Sequence, residues 1–437
     1  MALLQSSWPS HSHFYSNVDR YDTKTELCTS DYHHEYSSSS VSSVDLPMLS
    51  NDFDHGHYGV HDSLANIEGL DHGVHDDHAM EIDTQTRIEN LLMAYADAMG
   101  MEHEELAKVI AKCISEKANP NGSPLERIVF KLFQPEEHQE EAYLKHESLR
   151  NFVPAFRALY SIFPYGRFAH FTACSAIIEA VPCHVDVVHI VDFDICEGAQ
   201  WPLVIEAVAR SKKSLIITSI KLDQDQDSQF QETKRNLSNF ARAIGLNLEV
   251  KEIGLREMEE RASGSEFTAF NCMVGLPHMG RTRNRTQVMD FLKIAKGVLA
   301  KTEGIITFGA GEGERITNDS DYTPFFNKLL AHYQALYESM EWGFPSYLNE
   351  ARIAMETLFL APFVSSSSWF QTWEEQRENM VFDGLKGERM SMESWNEAKE
   401  LVKEGETPYK IGIEGRNGNE MVLKWKETPL VRVYAWK

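Results

Sequence analysis

The sequence predicts an α/β fold: a mostly parallel sheet covered by helices on both faces, a helical cap ahead of it, and an antiparallel C-terminal edge, all preceded by a disordered tail. Three observations predict it. Between residues 187 and 308, short β-branched runs alternate with amphipathic helical stretches, the pattern of strand–helix–strand units that build a parallel sheet. Near the C-terminus, three further runs are separated only by short turns, which suits antiparallel strands. Ahead of residue 84 the chain is rich in Ser, Asp and His with no sustained apolar period, so it buries too little to offset chain entropy. The expected organisation is a tail over 1–83 and a folded domain over 84–437, with the cap in 84–150 and the α/β core in 151–437.

Each element follows from a local pattern. Thr86-x-x-Glu89 has the spacing of a capping box and predicts a helix start. Ile88, Leu91, Leu92, Tyr95 and Met99 then recur at helical spacing, with Gly100 as the stop. Leu106, Val109, Ile110, Cys113 and Ile114 repeat the pattern before Pro120. Ser123-Pro124-x-Glu126 opens a third helix, with a stripe of Leu125, Ile128, Val129, Leu132 and Phe133. These stripes read first as core for one another and second as an exposed dimer face. An acidic loop from Pro135 to Glu141 precedes further helices through Val181. Strands are expected at Val187 to Val191, Leu215 to Ile220, Leu246 to Val250, Phe267 to Val274 and Ile305 to Phe308. Helices fall between them at Leu203 to Ala209 and Leu237 to Gly245, and Tyr409 to Ile413, Met421 to Trp425 and Val431 to Trp436 close the sheet.

Charge and composition exclude several classes. The 437 residues carry a net charge of −24, and residues 1–85 hold fifteen acidic against two basic side chains. Such a surface repels phosphate, so autonomous DNA binding would need a local basic patch. Only Ser211-Lys212-Lys213 and Arg281-Thr282-Arg283-Asn284-Arg285 offer one, and both read as charged loops. The six cysteines are scattered without CxxC spacing, which suits buried thiols rather than zinc or disulfides. Histidine clusters in the tail, such as Asp54-His55-Gly56-His57, read as solvated low-complexity chain, not a metal site. No apolar run reaches the length of a membrane span, and the first residues lack the signature of a secretory signal.

A doubly wound sheet places its ligand beyond the carboxyl ends of its strands. After the first strand stands Asp192-Phe193-Asp194-Ile195-Cys196-Glu197-Gly198-Ala199-Gln200-Trp201. A nucleotide cofactor needs several glycines there, and this turn has one glycine among three carboxylates. Asp192 and Asp194 therefore read as loop anchors or helix caps, with an adenosyl ligand on Asp192 and Asp223 as the rival. Gly309-Ala310-Gly311-Glu312-Gly313 follows the fifth strand and reads as a flexible turn. His170, His189, His278 and His332 are too dispersed to assemble a triad. From these residues alone, catalysis is unsupported, and no cofactor or metal is expected.

The same residues carry a family pattern. Val188-His189-Ile190-Val191-Asp192, continuing through Gln200-Trp201-Pro202, resembles the VHIID signature of the GRAS family. Phe168 to Ala180, Phe270-Asn271-Cys272-Met273 with Leu276-Pro277-His278, and Pro324 through Tyr333 and Arg352 match its successive blocks, while Trp395, Trp425 and Trp436 resemble the closing SAW block. Gly343-Phe344-Pro345 and Met421 to Lys426 look most like the branch named for nodulation signalling pathway 2. Two departures stand out: Phe308-Gly309-Ala310-Gly311 where an acidic pair is usual, and Ala173-Cys174-Ser175 where Ala-Asn-Gln is usual. The resemblance implies a methyltransferase-like (Rossmann-type) core with no enzymatic activity, and transcriptional regulation in the nucleus, with the cytoplasm open as a second location. It implies homo- or heterodimers with other GRAS proteins and contacts with transcription factors, DNA being reached through the partner, in symbiotic and strigolactone-related gene control. It gives Ile88, Leu91, Leu92, Tyr95, Met99, Leu125, Ile128 and Leu132 a second role as candidate partner interface. The rival functions are an S-adenosylmethionine-dependent methyltransferase and an autonomous sequence-specific DNA-binding protein.

Overall fold

The β-branched runs do pair into a sheet. The computed structural model describes residues 74–133, 152–221, 227–260, 266–279, 283–311, 321–376 and 384–437. Strands β1 (Val187–Asp192), β2 (Ser214–Ile220), β3 (Leu248–Ile253), β4 (Phe267–Val274) and β5 (Gly304–Ala310) are parallel neighbours. β6 (Tyr409–Glu414), β7 (Glu420–Trp425) and β8 (Thr428–Trp436) run antiparallel, and β8 pairs with β5. The order is β3-β2-β1-β4-β5-β8-β7-β6, so the winding reverses between β1 and β4. In register, Asp192 lies beside Asn271 and Asn271 beside Thr307, which lines up three polar side chains across β1, β4 and β5. The third strand begins two residues later than its expected start at Leu246, and Gly309 and Ala310 belong to β5, not to a turn.

Thirteen helices are described: α1 (Val74–Gly100), α2 (Glu104–Ser115), α3 (Pro124–Leu132), α4 (Phe152–Ile162), α5 (Pro164–Ala180), α6 (Pro202–Arg210) and α7 (Asp227–Ala243), then α8 (Leu255–Glu260), α9 (Arg285–Leu299), α10 (Tyr322–Gly343), α11 (Asn349–Phe359), α12 (Ser366–Gln376) and α13 (Met392–Leu401). One apolar cluster joins α1–α7 and α10–α13 to one face of the sheet through Val188, Ile190, Phe168 and Trp201. The other face packs Val191, Phe193, Phe270 and Phe308 on Phe291 and Leu292 of α9. Both faces are covered, as a parallel sheet requires.

The cap departs from expectation in two places. α1 begins at Val74, so Thr86-x-x-Glu89 lies inside the helix and caps nothing; Gln85 Nε2 instead donates to Glu89 Oε1 at 3.1 Å. α2 turns Leu106, Val109 and Cys113 outward and buries Ala107 and Ile114. The α3 start is a true capping box: the Ser123 amide donates to Glu126 at 2.8 Å and the Ser123 hydroxyl accepts from the Glu126 amide at 3.4 Å. Arg127 of α3 reaches into the domain, donating to Glu356 Oε2 at 3.1 Å and Glu341 Oε2 at 3.0 Å, while Arg352 donates to Glu356 Oε1 at 2.5 Å. This buried charge cluster fastens the cap to α10 and α11. The expected tail over 1–83, apart from the first turns of α1, and the acidic loop lie outside the described residues.

Candidate functional site

The carboxyl end of β1 carries the VHIID segment and a closed polar network. Val188 and Ile190 point into one apolar cluster and Val191 into the other, which leaves Asp192 as the last strand residue with its carboxyl between β1 and β4. Asn271 Nδ2 donates to Asp192 Oδ1 at 2.9 Å, and Trp201 Nε1 donates to Oδ2 at 2.9 Å. Asn271 Oδ1 accepts from Gln200 Nε2 at 3.1 Å and from Thr307 Oγ1 at 2.9 Å. Burial, and secondarily the Asp194 charge, pushes the Asp192 carboxyl up to about 7 against the pull of the Asn271 and Trp201 donors.

Asp194 anchors the loop that follows. Its Oδ2 accepts from Arg283 Nε at 2.6 Å and from the terminal guanidinium nitrogen, and both partners are buried. Its Oδ1 accepts from the Cys196 amide at 3.3 Å. The loop then passes through two left-handed residues, Cys196 and Gly198. A side chain at Gly198 would also meet Thr233 of α7 at 2.8 Å, so only glycine fits there. Arg283 is thus consumed by the fold and is no part of a basic surface. Lys213 likewise donates to the carbonyls of Pro182, Cys183 and Val185.

What this loop encloses is small. A cavity of about 30 Å³ lies among Phe156, His170, Asp194, Gly198, Gln200 and His278. That is room for about two water molecules, an order of magnitude below the several hundred Å³ of a small-molecule pocket. The fold brings together two histidines that sequence spacing kept apart: His170 and His278 face each other with Nε2–Nε2 at 3.3 Å, and Tyr160 hydroxyl bonds His170 Nδ1 at 2.9 Å. Burial drives His170 down to about 3 and His278 well below its ordinary value, so both rings are neutral. His189 bonds Thr218 at 2.8 Å and lies 3.5 Å from Glu266, while His332 bonds the Pro429 carbonyl at 3.1 Å and meets the Tyr333 ring. Among the described residues no group of three His, Cys, Asp or Glu side chains is placed to hold a metal ion. No described helix is long and apolar enough to cross a membrane. Of the described cysteines, Cys174 and Cys272 are buried, while Cys113 and Cys183 are exposed.

The remaining motif residues are structural. Gln200 and Trp201 belong to the Asp192 network; Tyr333 stacks on Trp369 at 5.4 Å; Arg352 lies in the cap-fastening cluster. Trp395 Nε1 donates to the Ile411 carbonyl at 3.3 Å, Trp425 Nε1 to Glu338 at 3.3 Å, and Trp436 stacks on Tyr434 at 5.1 Å. Pro324 lies exposed in the first turn of α10. Of the eight residues with a candidate partner role, Ile88, Leu92, Tyr95, Leu125, Ile128 and Leu132 are buried in the core, and Leu91 and Met99 are half-buried against it. A partner docking on the folded cap cannot reach the first six. Among the described residues of the cap, the large apolar side chains that are exposed are Met93, Met101, Leu106 and Val109.

The order of this sheet, the Asp192 segment at its switch point and the helical cap define a class. The GRAS domain family matches residues 88–437, and the chain belongs to that family. It is a plant GRAS regulatory protein. Over 392 residues it is 29% identical to Protein NODULATION SIGNALING PATHWAY 2 of Medicago truncatula, covering 80% of this chain and 76% of that protein. The Lotus japonicus protein of the same name is 29% identical over 387 residues, with the same two coverages. Scarecrow-like protein 26 of Arabidopsis thaliana is 27% identical over 392 residues, covering 80% of this chain and 77% of that protein. The crystal structure of SCL7 from Oryza sativa shares the fold, with a TM-score of 0.57 at 21% identity over 80% of this chain and 99% of that one.

Proposed function

We propose that this protein is a non-enzymatic transcriptional co-regulator that works through protein contacts in the nucleus, pairing with other GRAS proteins and with transcription factors and reaching DNA through the partner. The observation that carries this reading is the sheet's carboxyl end: where a methyltransferase would hold its cofactor, Asp192, Asn271, Gln200, Trp201 and Thr307 satisfy one another, and the space left is about 30 Å³. The net charge of −24, with Arg283 and Lys213 engaged inside the fold, weighs against unaided DNA binding. The names of the Medicago and Lotus relatives support a role in symbiotic signalling, and we propose strigolactone-related gene control beside it on the sequence resemblance to that branch alone. We place the partner face of the cap on Met93, Met101, Leu106 and Val109, in place of the buried stripe.

Two measurements test this. Affinity purification of the full chain from plant nuclei is expected to recover a second GRAS protein; recovery of the chain alone argues against pairing. Calorimetric titration with S-adenosylmethionine is expected to show no saturable heat. Micromolar binding lost in Asp192→Ala would establish the methyltransferase reading instead.

A further inference from the structure

A second exposed apolar surface lies at the C-terminal end of α10. Trp342 is 54% exposed and Tyr347 82% exposed, with Leu348 and Ile162 exposed beside them. The backbone that carries them is fixed. Gly343 lies so close to Phe163 that an added Cβ would sit 2.5 Å from the ring, and Phe344 packs on the same ring at 5.6 Å. The Leu348 amide donates to the Pro345 carbonyl at 2.8 Å, closing a short 3₁₀ turn over Ser346–Leu348, and Trp342 stands edge-on to Trp425 at 5.7 Å. Aromatic residues held this way lose little entropy on contact and dominate interface energetics.

Charge decides what fits. Glu350 is exposed at the rim, and Glu341, half exposed, pairs with Arg127 through Oε2 at 3.0 Å and leaves its other oxygen to the surface. The nearby cations are engaged within the chain: Lys426 with Glu338 at 2.9 Å, Lys410 with Glu427, and Arg352 with Glu356. We propose that this patch docks a partner-protein segment in which an apolar or aromatic anchor is flanked by Lys or Arg. The anchor covers Tyr347 and Leu348, while the basic residues meet the carboxylates and the Trp342 ring face, a cation–π arrangement. A second copy of this chain is the wrong occupant, because a two-fold contact would bring two copies of the same acidic rim together on chains of −24. The proposal does not rest on the cap face, and variants at the two surfaces separate them.

The test uses the full chain and two labelled amphipathic peptides of roughly 16 residues with the same spacing, one Lys/Leu and one Glu/Leu, followed by fluorescence anisotropy. The Lys/Leu peptide is expected to bind, and to weaken by about tenfold or more in both Tyr347→Ala and Trp342→Ala while Leu106→Ser leaves it unchanged. The Glu/Leu peptide is expected not to bind. Tyr347 touches mostly solvent, so its alanine variant stays folded by circular dichroism and keeps the test decisive if Trp342→Ala is perturbed. Equal binding of the two peptides, unchanged affinity in Tyr347→Ala, or self-association in sedimentation that Tyr347→Ala abolishes would overturn the proposal.

Discussion

Leu92 and Leu106 stand on neighbouring cap helices and face opposite media, and substituting each one asks which face serves the fold and which a partner. Leu92 is 1% exposed within the main apolar cluster. Leu92→Ala loses the transfer free energy of the deleted atoms and leaves a cavity, together about 2–5 kcal/mol, against a total stability of about 5–15 kcal/mol. Leu106 is 51% exposed and Val109 61%, so replacing both with Ser changes the free fold little. In a complex the balance inverts. Complete burial of such a side chain is worth about 1.5–3 kcal/mol, so covering the exposed half of each contributes about 1 kcal/mol. Leu106→Ser/Val109→Ser together then weaken the partner by about 2 kcal/mol, roughly 30-fold in Kd. Urea unfolding followed by circular dichroism reads the first effect, and titration of the purified GRAS partner reads the second. The reasoning is refuted if the double variant binds with wild-type affinity, or if Leu92→Ala keeps its urea midpoint while losing the partner.

Three further outcomes follow from the buried polar groups. Trp201→Phe removes the indole donor from the buried Asp192 carboxyl and is expected to cost about 1–3 kcal/mol, read as a lower urea midpoint; an unchanged midpoint would mean that the bond is dispensable. Arg127→Met takes one of two guanidinium partners from Glu356, leaving Arg352, and is expected to cost about 1.5–3 kcal/mol, whereas Arg127→Met/Glu356→Leu also strips the carboxylate from buried Arg352 and is expected to cost more; recovery of stability in the double variant would show that Arg352 does not depend on Glu356. Burial holds His170 at about 3 and His189 at about 4, and His278 well below 6.5, so their contribution is present above 6.5 and lost as pH falls toward the folded values. Asp192, raised from 3.8 to about 7, acts in the opposite sense: its contribution is present below about 3.8 and lost by pH 7. Burial also raises Glu356 and Glu397 in the sense of Asp192, by less, so the three histidines outweigh the carboxyls: the urea midpoint is expected to rise from pH 4.5 to 6.5 and to rise more steeply in Asp192→Asn; a flat profile contradicts this.

Strands β1, β2 and β4 were legible because each is a short, mostly apolar run that the sheet buries, and all three lie where the sequence puts them. What local pattern does not carry is the direction of a helix face. Leu106, Val109 and Cys113 have core-like spacing, yet α2 meets the domain through Ala107 and Ile114, because a small residue allows the close approach that the wider stripe would prevent. The Thr86 box failed for a related reason: the residues before it continue the helix, so no free amides remain for it to satisfy. The candidate site was half legible. Asp192, Gln200 and Trp201 are close in sequence, but Asn271 and Thr307 join them only through the β1-β4-β5 order, and Arg283 meets Asp194 from 89 residues away. A polar residue within an otherwise apolar strand, as at Asn271 and Thr307, was the available signal.

The geometry of α10 connects the two surfaces argued for above. Its 22 residues span about 33 Å at 1.5 Å per residue. At its N-terminal end Thr323 donates to Asp97 of α1 at 2.9 Å, and Phe326 meets Tyr95, which places the Met93 and Met101 region of the cap. Toward its C-terminal end Glu341 and Tyr337 meet Arg127, and Trp342 opens the aromatic patch. The helix is buried along most of its length between, so neither end moves without disturbing the core. The Asp192 network fills the space beyond the carboxyl end of β1 with the chain's own side chains. What α10 holds fixed is the spacing between two exposed apolar faces on one rigid rod, and under the proposals above a partner that engages both would gain from that preset distance without any rearrangement of this chain.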